Sequence, residues 1–404
     1  MTRRPFRFLA CVLALASAGS ASAQSAALEA ALAAGKVSGQ LNLRYEGVKE
    51  DNALDSAEAL TLRSALKYST AGWRGFSAVV EVEDVRSLGI DNYAVPVTGF
   101  NSGRYSVIAD PETTELNQAY LQYLQGGFTA RLGRQDLRYD DQRMIGAVPW
   151  RQDYQSFDAL SLSYQQDAGR SWSVAYHYLG QRERVFAEAG DIDSKDHILR
   201  GVLATPLGTL TAYGLLLEED IALHNALDTW GLRLNGSKHW LGNEFSYLLE
   251  YALQDYERGV ASHATDYLHL EGGLKLQGFN TRLGVERLGS DAGAYGFATP
   301  LATLHAFQGW ADQFLNTPPE GIEDWYLSIA HALAGGTLSL IYHNYSAAES
   351  SPAVSDLGEE FNVQWVRPLR SNYQLGLKYA DYRQGDLAAK SDKQICWTWL
   401  QLNF

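Results

Sequence analysis

The chain has 404 residues, a formal net charge of −14 and a mean hydropathy of −0.23. Its 23 Tyr, 14 Phe and 10 Trp exclude a disordered chain, and two cysteines are too few for a disulfide scaffold. No apolar run of about 20 residues follows the signal-like start, which excludes a bundle of membrane helices, and the acidic balance disfavours nucleic acid or anionic lipid heads as partners.

Residues 1–23 read as a secretory signal peptide. Arg3, Arg4 and Arg7 precede an apolar stretch from Phe8 to Ser17, and Ala21-Ser22-Ala23 offers small residues for cleavage before Gln24. The rival is a lipoprotein site at Cys11, which would leave an apolar stretch too short for a signal. Cleavage before Gln24 would leave Cys396 as the one cysteine. Residues 24–35 hold a short helical segment, Ser25 to Ala34, closed by Gly35.

From Val37 the pattern changes to period two, and residues 36–404 read as one unit. Leu41, Leu43 and Tyr45 alternate with Asn42, Arg44 and Glu46; Tyr373, Leu375, Leu377 and Tyr379 alternate with Gln374, Gly376, Lys378 and Ala380. Such alternation gives a strand two unlike faces. It predicts about 18 strands of roughly ten residues, the length a tilted strand needs to cross a bilayer. They fall near 37–47, 58–68, 75–84, 114–124, 128–136, 157–165, 172–181, 196–204, 208–218, 229–236, 243–254, 266–276, 279–287, 324–333, 337–346, 360–367, 373–383 and 393–404.

The connections alternate short and long. Gln125-Gly127, Thr205-Leu207, Gln277-Gly278 and Ala334-Gly336 are short; 85–113, 137–156, 182–195, 255–265, 288–323 and 347–359 are long, polar and mostly acidic. Long loops confined to one end are the habit of outer-membrane barrels. The alternating strand that ends on Phe404 resembles the pattern recognised by the barrel assembly machinery. The expected fold is all-β, a transmembrane antiparallel β-barrel of about 18 strands, in the outer membrane of a Gram-negative bacterium.

A barrel this wide leaves a water-filled channel. A charge facing lipid costs a few kcal/mol near the midplane, so the charged series must face inward. That face carries Arg44, Arg63, Lys67, Arg131, Arg200, Arg233, Lys275, Arg282 and Lys378, with Glu46, Glu81, Glu83, Glu244, Glu250, Glu271 and Glu286. These charges either pair across neighbouring strands and hold the wall, or leave some cations free for a solute.

Several stretches resemble the alginate export family of outer-membrane porins: Thr114-Glu115-Leu116-Asn117-Gln118-Ala119-Tyr120-Leu121, Arg131-Leu132-Gly133-Arg134-Gln135, Gln142-Arg143-Met144-Ile145-Gly146, Trp150-Arg151-Gln152 and Gln155-Ser156-Phe157-Asp158-Ala159. Thr299-Pro300-Leu301 through Gly309-Trp310-Ala311-Asp312 is similar to uncharacterised members. The resemblance implies a monomeric 18-stranded barrel whose arginine-rich constriction passes an acidic polysaccharide. It places a pore role on Arg63, Arg131 and Arg151.

The expected function is therefore passive passage of an anionic sugar or polysaccharide, with outer-membrane lipid and lipopolysaccharide around the wall and no cofactor. The alternatives are a general porin with a mixed-charge lumen, or a structural or adhesive barrel. Nine His are scattered without a nucleophile motif or zinc-like spacing, so neither catalysis nor a metal site is expected. Loop 288–323, with Phe307, Trp310 and Phe314, is unusually aromatic. It folds into the channel, stacks on a sugar, or packs on itself at the rim.

Overall fold

Strands form where the alternation is strongest, and the two-residue turns between them carry a Gly at a positive-φ position that a Cβ would disfavour. Gly126-Gly127, Leu241-Gly242, Gln277-Gly278 and Ala334-Gly335 each have φ above zero at both positions. Paired positive φ is the type I′ hairpin, whose twist matches that of its strands. The computed structural model describes residues 21–166 and 171–404. Of the expected signal peptide, residues 1–20 lie outside the described residues.

Helix α1 (Ala21–Ala33) leads into β1 (Lys36–Glu50), β2 (Ala57–Ser69), β3 (Phe76–Asn92), β4 (Thr113–Gln125), β5 (Phe128–Gln135) and β6 (Ser156–Gln166). Then follow β7 (Trp172–Glu183), β8 (Ile192–Thr205), β9 (Gly208–Glu218), β10 (Asn225–Trp240), β11 (Asn243–Arg258) and β12 (Ala261–Leu276). The last six are β13 (Phe279–Leu288), β14 (Ile322–Leu333), β15 (Gly336–Ser346), β16 (Asp356–Arg370), β17 (Tyr373–Gln384) and β18 (Lys393–Asn403). Each pairs antiparallel with its sequence neighbours in one 18-stranded sheet. β1 closes it by pairing with β18 from Gln40↔Asn403 to Glu50↔Lys393. Closure leaves no unpaired backbone edge in lipid.

The expected strands all form, and most run further toward the long-loop end than expected. The expected loop 255–265 does not exist: β11 and β12 continue to a two-residue connection at Gly259-Val260. Above the bilayer both faces of a strand meet water, so the alternation fades although the ladder continues.

Burial is inverted relative to a water-soluble core. Leu232, Leu249, Leu253, Leu283, Leu327 and Leu377 are exposed on the outer face, whereas Arg44, Arg63, Glu83 and Asn362 are buried on the inner one. That is the division a lipid-embedded barrel requires.

Candidate functional site

Three connections at the long-loop end, 93–112, 136–155 and 289–321, turn inward and carry buried residues such as Ile108, Ile145, Gln152, Phe297, Leu301 and Ala311. Loop 136–155 crosses the lumen. On one side the hydroxyl of Tyr139 meets Nε2 of His177 on β7 at 2.9 Å. Asp140 pairs with Arg200 on β8 at 2.8 Å, Asp141 with Arg233 on β10 at 2.9 Å, and Arg143 with Glu286 on β13 at 2.6 Å. On the other side Arg151 reaches Glu46 on β1 at 3.3 Å, Gln152 donates to Thr61 on β2 at 2.8 Å, and the Tyr154 amide donates to Glu83 on β3 at 3.2 Å.

Loop 289–321 locks onto this bridge. Trp150 stacks on His305, with ring centroids 4.8 Å apart and planes 3° from parallel. Trp397 and Trp399 of β18 meet Trp150 edge-on at 5.6 and 5.4 Å. The Lys378 ammonium on β17 sits 3.9 Å from the Trp150 ring centre, 4.0 Å from Trp310 and 5.2 Å from Trp397, and contacts His305 Nε2 at 2.6 Å. An aromatic face attracts a cation strongly once water is excluded. On its far nitrogen, His305 meets Asp312 at 2.7 Å, and Asp312 also binds Arg151 at 2.6 Å.

Electrostatics follows burial. Desolvation opposes the Arg151 charge, but Glu46, Asp312 and Asp110 outweigh it and hold its pKa above the ordinary value. Asp110, on loop 93–112, is likewise held ionised against burial by Arg44 and Arg151, and it also accepts the Gln152 amide. Burial pushes His305 down to about 3; Asp312 works against that and Lys378 with it. His305 is therefore a neutral imidazole in the docked loop.

The register places all nine strand cations of the sequence analysis on the inward face, in two groups. Arg44 binds Asp110 and the Trp150 carbonyl; Arg63 binds Glu83 and Gln40 and lies 3.9 Å over the Tyr154 ring. Lys67 pairs with Glu81 at 3.2 Å and Arg233 with Glu250 at 2.6 Å. Lys275 and Arg282 stand 4.0 and 3.9 Å from Glu244 and Glu271. Lys378 is buried in its indole box. Arg131 is different: it donates to Gln122 at 2.6 Å and lies 5.2 Å over Tyr120, and no carboxylate lies within salt-bridge distance of it among the described residues. It is also only half-buried. Arg151, expected on a long loop, is in the crossing network.

The aromatic loop enters the channel, one of the three outcomes its sequence allowed, and Trp310 and Phe314 are buried. Asp110, Arg143 and His305 were not singled out by sequence. Nothing in their local pattern distinguishes a loop residue that docks on a wall residue 66, 73 or 143 positions away.

Beneath the docked loops a cavity of about 440 Å³ lies against β10–β15. It is lined by Arg233, Arg282, His269, Glu271 and Tyr326 from the wall, and by Phe307 and Trp310 from the loop above.

A profile of the family described as alginate export matches residues 39–287. None of the curated proteins matches the chain. Among solved structures the chain is similar to Pseudomonas aeruginosa OpdO, at 15% identity and TM-score 0.68 over 93% of this chain and 99% of that one. It is similar to Acinetobacter baumannii OccAB4, at 12% identity and TM-score 0.71 over 92% and 98%. It is also similar to P. aeruginosa OccK2 (OpdF) in complex with glucuronate, at 12% identity and TM-score 0.66 over 91% and 98%. At these identities the likeness is one of fold.

Proposed function

The chain belongs to the alginate export family of outer-membrane porins, and from that premise we propose that it is a passive channel for a small sugar acid, a uronate or a close relative. The observation that carries this reading is Arg131. Of the nine inward cations described above, it alone combines partial exposure with the lack of a carboxylate within salt-bridge distance among the described residues. A guanidinium so placed grips a passing carboxylate by two parallel hydrogen bonds. The grip must stay weak enough to release. The glucuronate bound by the similar OccK2 is a solute of this class.

Size follows from the crossing loop. With loop 136–155 bonded to the wall on both sides, a hydrated polysaccharide finds no wide path, whereas a monosaccharide needs only the space beside the docked loops. The wall pairs Arg44–Asp110, Arg63–Glu83, Arg143–Glu286 and Arg233–Glu250 favour no sign of solute, because each cation is matched by a carboxylate.

The test is the reversal potential of the purified protein in a planar bilayer under a KCl gradient, for wild type and Arg131→Ala. Anion preference is expected in the wild type, reduced in the variant. It should fade as salt shortens the screening length from about 10 Å at 0.1 M to about 3 Å at 1 M. Cation preference in the wild type, or identical reversal potentials, favours a general porin with a mixed-charge lumen.

A further inference from the structure

Charge is divided unevenly between the two ends of the outer wall. On the long-loop half, outward cations meet carboxylates. Arg86 pairs with Asp84 at 2.7 Å, Lys195 with Asp220 at 2.7 Å, Arg287 with Asp266 at 2.9 Å and Arg383 with Asp392 at 3.0 Å. The short-turn end of β14–β17 differs. No acidic residue occurs from Trp325 to Asn344 or from Phe361 to Ala380. Two exposed arginines, Arg367 and Arg370, lie in the second stretch, and neither has a carboxylate within salt-bridge distance among the described residues.

Both stand on the lipid side. Residues directly opposite on neighbouring strands share a face. Arg367 is opposite Leu375, and the register shift after Pro368 sets Arg370 opposite Tyr373. Those partners belong to the outward series that continues to the exposed Leu377.

Arg367 also has a fixed neighbour. Trp365, on the same face, donates its indole N–H to the Leu333 carbonyl at 2.9 Å. The β14–β15 turn leaves room for both side chains. A Cβ on Gly336 would lie 2.9 Å from Trp365 Nε1 and 3.0 Å from Arg367 Cβ, and one on Gly335 would lie 3.3 Å from Arg367 Nε. An outward indole at a strand end marks the boundary between acyl chains and headgroups. The guanidinium beside it is therefore level with lipid phosphates, and a guanidinium fork takes two phosphate oxygens at once. The net acidity of the chain does not oppose this. Charges act over about 10 Å at 0.1 M salt, and Asp381, the next carboxylate up β17 from Tyr373, is roughly 26 Å away along the strand.

We propose that Trp365, Arg367 and Arg370 form a binding site for one anionic glycerophospholipid of the periplasmic leaflet. The two guanidiniums hold its phosphodiester, and its acyl chains lie along Leu338, Leu340 and Leu377. The site is on the outer wall and is independent of what passes through the lumen.

The test is native mass spectrometry of the detergent-purified full chain with dioleoylphosphatidylglycerol and dioleoylphosphatidylcholine. Both lipids carry the phosphodiester, but choline brings a cation to where the arginines stand. The wild type should bind its first phosphatidylglycerol about 30-fold more tightly, from about 5-fold for each arginine at a headgroup. Arg367→Gln with Arg370→Gln should bring the two lipids within a few-fold of each other. Arg383→Gln, at the acid-paired end, should leave the ratio as in the wild type. If the double Gln variant does not insert, Arg367→Lys with Arg370→Lys carries the arm: it keeps the charge, loses the fork and should show a smaller preference than the wild type. Equal binding of both lipids by the wild type, a wild-type ratio in the double variant, or an equal fall in Arg383→Gln would overturn the site.

Discussion

Trp150→Ala removes the ring on which the docked loops converge. The indole stacks on one imidazole, meets two further indoles edge-on, and faces the Arg44 guanidinium at 5.1 Å and the Lys378 ammonium at 3.9 Å. Aromatic pairs contribute about 0.5–1.5 kcal/mol each beyond their area, and a desolvated cation–π contact about 2 kcal/mol. These terms overlap, and because Trp150 is half-buried its loss lies toward the lower end of the roughly 3–5 kcal/mol of a buried Trp→Ala change. Lys378 also loses a face of its box, and a buried ammonium with no carboxylate has little else to compensate it. At about 1.4 kcal/mol per tenfold, the balance between docked and released loops shifts by roughly two to three orders of magnitude. Single-channel recording in a planar bilayer should show a higher mean conductance with frequent large transitions, and protease added on the loop side should cut within 136–155. A variant that inserts normally, with wild-type conductance and wild-type protease resistance, would refute the idea that this ring holds the bridge.

Three further outcomes follow from the geometry. Arg63→Ala strands the buried Glu83 carboxylate at a cost of roughly 3–5 kcal/mol; the folded gel form should convert to the unfolded one at lower temperature, while anion preference persists through Arg131. His305 is held down to about 3 in the docked loop, against an ordinary value of about 6.5. The released loop therefore binds the extra proton, so docking is at full strength above about pH 6.5 and erodes toward pH 3, by roughly 2 kcal/mol at pH 5. Open-channel probability should rise on acidification from pH 7 to 5, and His305→Gln should blunt that rise; a pH response equal in both proteins contradicts the assignment. Deleting Phe404 removes two ladder bonds to Gly39, at 3.0 and 2.8 Å, and the ring that packs over that glycine. Less heat-modifiable barrel should be recovered from the outer-membrane fraction, and equal recovery would exclude a closing role for this residue.

The barrel was legible in the sequence because lipid imposes a simple rule on every second residue. Leu41 and Leu43 outward and Arg44 and Glu46 inward follow from alternation alone, and the Gly-containing turns mark the register. The inward direction of Arg63 or Lys378 was legible for the same reason. Their surroundings were not. Arg63 is occupied by Glu83, next to it in the sheet, and covered by Tyr154 from a loop 91 positions later; Lys378 depends on Trp150 and Trp310, which reach it from two loops. Alternation describes a face, whereas partnership depends on loop conformations that leave no period in the sequence. For the same reason Arg131 could be named as inward but not as a half-exposed cation without a carboxylate partner.

The ladder between β1 and β18 has a consequence for how the molecule assembles. Its partners, such as Gln40 and Asn403, lie at opposite ends of the chain, so the cylinder has no inside until the last strand has arrived. Loop 136–155 emerges early, yet its Trp150 and Arg151 seek β18 and β1, the two edges of that seam. Contacts of such sequence separation form late, because loop closure must precede them. Until then, charged groups destined for burial remain in water, where they are cheap to hold. The chain therefore completes its wall before its interior, and the last event of folding is the capture of a strap already made, with Trp397 and Trp399 arriving to receive it.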